Sequence, residues 1–140
     1  MLTIEHANRI LDENFAAWLL DLRPRVEAVE KMSARLRIPY SDRLVRVGGT
    51  ICGQALMSLA DTAMVIAVSA ASGGFRPMTT VGQTISFMRP IANADVLAEA
   101  RVLRLGKTLA FGEIELRAGD RDDLAAHVTT TYAILGPAPA

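Results

Sequence analysis

Apolar residues at Ile4, Ala7, Ile10, Leu11, Phe15 and Trp18 recur every three or four positions. That is the period of one helical face, and it predicts a helix from Thr3 to about Trp18. From Glu27 to Ile38 the apolar positions Val29, Met32, Ala34, Leu36 and Ile38 mostly alternate, as in one or two strands. Pro39 to Gly49 reads as a loop. Gly53 to about Ser72 is apolar enough and long enough for one continuous helix, closed by Gly73-Gly74. Four strand-like stretches follow, Met78–Met88, Val96–Leu105, Leu109–Arg117 and Leu124–Leu135, separated by the turn-like "RPIANAD", "LGKT" and "AGDRDD". A long helix followed by an antiparallel meander predicts an α+β fold in which the sheet wraps the helix.

The long helix carries one anomaly. From Gly48 to Gly74 its segment holds a single ionisable carboxylate, Asp61, and no Lys, Arg, Glu or His. At about 100° per residue, Gln54, Ser58, Asp61, Val65, Ser69 and Ser72 share one side, and Leu56, Leu59, Ala60, Ala63, Ala67 and Ala70 share the other. The small-residue side allows close approach to a sheet. A solvated helix face is normally rich in Lys, Glu and Arg. This polar side has none over five turns, so it reads as an interface or a pocket wall with a carboxylate at its centre.

Composition narrows the rest. With 140 residues the chain is expected to be one domain spanning 1–140, long enough for a proper core. Fifteen basic and fifteen acidic residues give a formal charge of zero, which argues against nucleic acid as a partner. A membrane span is the weaker reading of Ala55–Ala71, because Ser58, Asp61 and Thr62 interrupt it. The start "MLTIEHANRILDENF" places Glu5, His6 and Asp12 where a signal peptide needs basic and then apolar residues. With a lone cysteine, Cys52, no internal disulfide is expected, and a cytoplasmic location fits. His6 and His127 offer no metal-ligand spacing, so neither a metal nor a cofactor is expected. The tail Gly136–Ala140 is expected to fray.

Three motifs then carry a resemblance. The runs "GTICGQALMSLADTAM", "TTVGQTISFMRP" and "LRLGKTLAF", in that order, resemble the hotdog-fold acyl-CoA thioesterases of the PaaI-like, phenylacetate type over about Val45–Leu135. The resemblance implies a helix wrapped by an antiparallel sheet, dimers sharing a continuous sheet, and a dimer of dimers. It implies that Asp61 is the catalytic carboxylate, acting as general base or nucleophile. The Gly53 backbone N–H would bind the thioester oxygen, and the Thr80 hydroxyl would help place the attacking water. Gly106 and Lys107 would lie close to the CoA moiety. Ser58, Val81 and Gly82, beside these positions, are expected to contact substrate. CoA would enter as part of the substrate, an acyl-CoA.

The chemistry agrees with those roles. Thioester hydrolysis develops negative charge on oxygen, which a helix N-terminal amide stabilises. Gly53 and Asp61 are eight residues apart, about 12 Å along one helix. One thioester carbonyl contacts both only if they come from two chains, as antiparallel helices about a two-fold axis would supply. Three positions depart from the family pattern: Cys52 replaces a His, Gln54 replaces a Gly, and Arg46 replaces an Asn that some relatives use on the carbonyl or water. The Gln54 side chain could donate to the thioester oxygen or fill the acyl pocket. Cys52 reads as a small hydrophobe rather than a nucleophile, since no His base lies near it in sequence.

Arg46, Arg76, Arg89, Arg104 and Lys107 are the basic candidates for CoA phosphates. His127, inside a strand, has no partner carboxylate by spacing and reads as structural or as a subunit contact. Three functions compete: an acyl-CoA thioesterase for small aryl or medium-chain acyl groups, a non-catalytic acyl-CoA-binding protein, and a hydratase. The hydratase would normally place a His beside its acid.

Overall fold

The computed structural model describes residues 1–137. Helix α1 (Ile4–Asn14) starts at Thr3, whose hydroxyl accepts from the His6 N–H at 3.0 Å. The predicted single N-terminal helix is broken. Asn14 turns its amide back onto the Ile10 carbonyl at 2.9 Å, Phe15 is extended, and a short α2 (Ala17–Leu20) follows. Phe15 packs against the core, and the break lets it turn inward. The expected strand region resolves into a hairpin, β1 (Arg25–Glu30) and β2 (Ser33–Ile38).

Helix α3 (Gly53–Ser72) has the predicted bounds. It ends at Gly73, whose φ of 78° lets the Gly74 N–H reach the Ser69 carbonyl at 2.8 Å. Leu59, Ala60, Ala63 and Ala67 are fully buried, and α3 packs against β2 and the later strands β4 (Val96–Leu105) and β5 (Leu109–Ala118). Small residues make that approach close. At Gly112 on β5 an added Cβ would fall 2.8 Å from the Arg101 main-chain carbonyl oxygen, which cannot yield as the nearby Met64 methyl could, so the position favours glycine. Enlarging an alanine such as Ala63 to leucine would cost about 1–3 kcal/mol through overpacking. The 20-residue helix has the length and composition of a membrane span, but it forms the core here, with most of its apolar window buried against the sheet.

One face assignment is corrected. Ser69, expected on the polar side, is fully buried. Its hydroxyl donates to the Val65 carbonyl at 2.8 Å, which lets it sink into the core at little polar cost.

The sheet is antiparallel in the order β1-β2-β4-β5-β6-β3, with β3 at Met78–Phe87 and β6 at Ala126–Ile134. The expected meander is therefore right for β4-β5-β6 and wrong for β3, which leaves the sequential order and closes the far edge beside β6. The reason lies in composition. β4, β5 and β6 bury every second residue, whereas β3 is mostly exposed along its length and cannot occupy a central position.

On the outer face His127 finds the partner that spacing did not show, the Glu113 carboxylate at 3.2 Å across the β5–β6 pair. That hydrogen bond, with the Arg101 contact, holds the Glu113 carboxyl below the usual carboxylate range. The start of the tail expected to fray is tied down. The Leu135 N–H donates to the Pro77 carbonyl, and the Arg76 guanidinium donates to the Gly136 carbonyl. Residues 138–140 lie outside the described residues.

Candidate active site

Asp61 sits in the third turn of α3, half-buried, facing β3. The Thr80 hydroxyl donates to its Oδ1 at 2.7 Å. The Tyr132 hydroxyl, from β6, donates to the same oxygen and lies 2.7 Å from the Asp61 main-chain carbonyl. Thr80 and Tyr132 are register partners across β3 and β6, so the sheet delivers both donors from one row. Burial, then the Asp61 charge, pushes the Tyr132 phenol far above its usual range, so it remains a donor at any working pH. Among the described residues Asp61 Oδ2 receives no hydrogen bond or ion pair. A carboxylate with one oxygen fixed and the other free has the form of a positioned base. It opens on a depression of about 230 Å³ lined by Met57, Ser58, Asp61, Thr80 and Gln83.

The second feature lies at the start of the helix. Gly53 is the first residue of α3, after Cys52, which supplies no side-chain cap. The first N–H groups of a helix lack intrahelical acceptors. Those of Gly53 and Gln54 have none elsewhere among the described residues. The chain enters here through a tight hairpin. The Arg46 N–H donates to the Thr50 carbonyl, and the Cys52 N–H to the Leu44 carbonyl at 2.8 Å. Gly53 opens on a larger depression, about 550 Å³, walled by Arg46, Ile51, Leu56, Phe87, Met88 and Ile91 among others. The Phe87 ring rests over Gly53; an added Cβ would meet it at 3.0 Å.

No residue lines both depressions. Asp61, Thr80 and Ser58 are brought together; Gly53 and Arg46 form a separate group on the same chain. Val81 is the extra residue of a bulge between Thr80 and Gly82, 62% exposed, beside the Asp61 group. Gly82 follows it, its carbonyl accepting from the Thr130 hydroxyl. A bulge here re-aims Thr80 relative to the rest of β3. Gln54 is exposed, with its carbonyl accepting from Ser58. Among the described residues the Arg46 guanidinium donates only to the Val47 carbonyl, at 2.8 Å. Gly106 and Lys107 cap the β4–β5 hairpin. The row Thr80–Tyr132–Ala110–Leu105 ends beside them, three strand spacings or about 14 Å from Thr80. Of the other basic candidates, Arg76 is tied to Gly136, and Arg89 to the Leu124 carbonyl at 2.8 Å.

Sequence reasoning missed Tyr132 and Gln83. The signal for Tyr132 was its inward phase on β6 with Val128 and Ile134, because a buried tyrosine hydroxyl needs a partner. Gln83 shares the inward phase of β3 with Ile85, an unusual place for an amide.

Comparison with known proteins agrees with this architecture. Residues 48–125 match the thioesterase superfamily, more than half of the chain, and the protein belongs to that family. A conserved protein of Pseudomonas aeruginosa superposes with a TM-score of 0.81 at 31% identity, covering 89% of this chain and 98% of that one. The E. coli PaaI protein, from the phenylacetic acid degradation operon, gives a TM-score of 0.83 at 21% identity over 96% and 94%. A Haemophilus influenzae thioesterase gives 0.84 at 20% identity over 97% and 92%. The last two show the shared hotdog fold, which is the fold of this chain.

Proposed function

We propose that the protein is an acyl-CoA thioesterase acting on a small aryl or medium-chain acyl group, with sites shared between two chains. The observation that carries this is the Asp61 carboxylate in the wall of a depression, one oxygen fixed by Thr80 and Tyr132 and the other without a partner among the described residues. In the reaction a water oxygen attacks the thioester carbonyl carbon while Asp61 takes its proton. The C–S bond then breaks, and the departing thiolate is protonated as the acid forms. Thr80 fixes the carboxylate, and Tyr132 keeps it oriented from beneath.

The developing oxyanion needs donors, and the free N–H of Gly53 is suited to it. Because the helix rise separates Gly53 from Asp61 by about 12 Å, the donor comes from a second chain. The uncharged edge of β3 supports pairing with the same strand of that chain, which would bring the two kinds of depression together. The apolar depression at Gly53 would take the acyl group, with Arg46 at its wall and Gln54 and Val81 nearby. Gly106 and Lys107 stand where the nucleotide end of CoA could reach.

The test is a panel of acyl-CoA esters with a thiol reagent, beside equilibrium binding and an enoyl-CoA. Thiol release from aryl or medium-chain esters supports the reading. Binding without release would instead make it an acyl-CoA carrier, and hydration of the enoyl ester a hydratase.

A further inference from the structure

Gln83 is a costly residue for its position. It lies on the inner face of β3 and walls the Asp61 depression. One N–H of its amide donates to the Met57 carbonyl at 3.2 Å, one helical turn before Asp61. That contact fixes which end of the amide is nitrogen, since a carbonyl needs a donor. The side-chain oxygen is consequently turned inward, buried and without a partner. A buried unpaired acceptor costs about 1–3 kcal/mol, and a leucine or methionine here would avoid it. What the arrangement gains is a second N–H, without an acceptor among the described residues, on a side chain that walls the same depression as Asp61.

We propose that this N–H binds the thiol half of the substrate: it donates to the carbonyl of the first amide of the pantetheine arm, the amide nearest the sulfur. The inference rests on the thioesterase reading and adds a binding residue to it. Its logic is geometric. The sulfur leaves from the carbon attacked at Asp61, and the first amide of the arm is only a short two-carbon linker further on. Gln83 borders the same small depression, so a donor there meets that amide rather than the acyl tail or the distant phosphates. Fixing the amide places the sulfur, and so the carbonyl carbon, over the open carboxylate oxygen.

The experiment compares two thioesters of one acyl group, the N-acetylcysteamine ester, which keeps the amide, and the S-propyl ester, which lacks it. The wild type is expected to prefer the first in kcat/KM. Gln83→Leu, close in volume and free of the buried orphan oxygen, is expected to lose about tenfold of that preference, the worth of one neutral hydrogen bond. Intrinsic reactivity differences between the esters cancel when variant is compared with wild type. Gln83→Glu, which loses the donor but keeps an acceptor, is expected to lose the same preference. Asp61→Asn lowers both esters together and leaves the ratio in place. If Gln83→Leu slows both esters equally, the residue is only a strut between β3 and α3, and the proposal is overturned. A Gln83→Leu variant whose ratio between the two esters equals that of the wild type overturns it alone. A wild type that hydrolyses neither, nor any acyl-CoA, overturns the thioesterase reading as well.

Discussion

The two edges of the sheet are finished by opposite rules. β1 is six residues long, carries Arg25, Glu27 and Glu30, is kinked by a bulge after Val26, and has α1 lying against it. These are the devices that stop a sheet from adding strands. β3 is ten residues long, has no charged side chain, and leaves Val81 and Phe87 more than half exposed. Nothing covers it among the described residues. An edge left open in that way is available for pairing with another strand, and it is also where Asp61, Thr80 and Gln83 gather. The contrast teaches that one edge is built to refuse a further strand, while the other is left able to take one beside the Asp61 carboxylate, as the proposed shared site requires.

The sharpest way to break that contrast is to remove a carboxylate from each edge. Asp61→Asn should keep the fold and reduce kcat at least about a hundredfold, the scale for losing a catalytic acid or base. Asp12, paired with Arg25 at the guarded edge, is its control: Asp12→Asn should leave kcat unchanged. Steady-state kinetics on the best ester decides, and equal losses at both edges would end the assignment.

Assembly comes next in size. Val81→Glu places a charge on the open strand, where β3–β3 pairing of the proposed dimer would bring like charges together. It should shift dimer to monomer in sedimentation and lower activity about tenfold, while Ala28→Glu on β1 should do neither. The shared site is tested by mixing. Gly53→Val forces the Phe87 ring off the oxygen-binding end, and Asp61→Asn removes the base. Each homodimer should be nearly inactive. Random mixing makes about half of the dimers mixed, each with one intact site, so about a quarter of wild-type activity should return. No recovery with mixed dimers confirmed by mass would place both groups in one chain.

How much of this was legible beforehand follows from which forces write clearly into sequence. The long helix was legible to the residue, because a glycine begins it, a glycine ends it, and nothing within it competes. Asp61 stood out because charge is absent around it. The place of β3 was not legible. Strand order is set by which strands α3 covers, and a meander of alternating strands looks the same in sequence whichever neighbours it takes. The break at Phe15 was hidden because apolar spacing runs through it, and Asn14 acts through one local hydrogen bond. His127 with Glu113 and Tyr132 with Asp61 are long-range pairs, and register alone creates them. The roles proposed for Arg46, Gln54, Gly106 and Lys107 need a second chain and a bound substrate, which one folded chain does not supply.

A smaller effect concerns the support beneath Asp61. Burial and the Asp61 charge raise the Tyr132 phenol in the folded state above its unfolded value near 10. Its contribution is therefore complete below about pH 10 and falls as pH rises beyond it, by about 1.4 kcal/mol per pH unit. Denaturant midpoints for the wild type should drop steeply above pH 10, and those of Tyr132→Phe less steeply. At neutral pH the variant should lose about 1–3 kcal/mol, because the Asp61 carboxylate loses a buried donor. Parallel pH dependence in the two proteins would remove the hydroxyl from this role.

The smallest expected change is at Cys52, the residue before α3, packed against the core. Its backbone is extended, with φ −66° and ψ 148°, the conformation of a helix N-cap, yet its thiol caps nothing. Among the described residues the thiol, free of any disulfide, has no hydrogen-bonded base, so it is expected to act as a small hydrophobe rather than as the nucleophile. Cys52→Ala should stay within about twofold of wild-type kcat. Cys52→Ser goes further, because a serine oxygen at an N-cap accepts from the second or third helical N–H. Those belong to Gln54 and Ala55, so the Gly53 N–H stays free for the substrate oxygen. The serine variant should therefore gain about 1 kcal/mol of stability, read from denaturant midpoints, with kcat still within about twofold. Loss of turnover in both variants with the fold intact would put the thiol in the mechanism. Loss in serine alone would mean that the Gln54 N–H, and not only that of Gly53, holds the thioester oxygen.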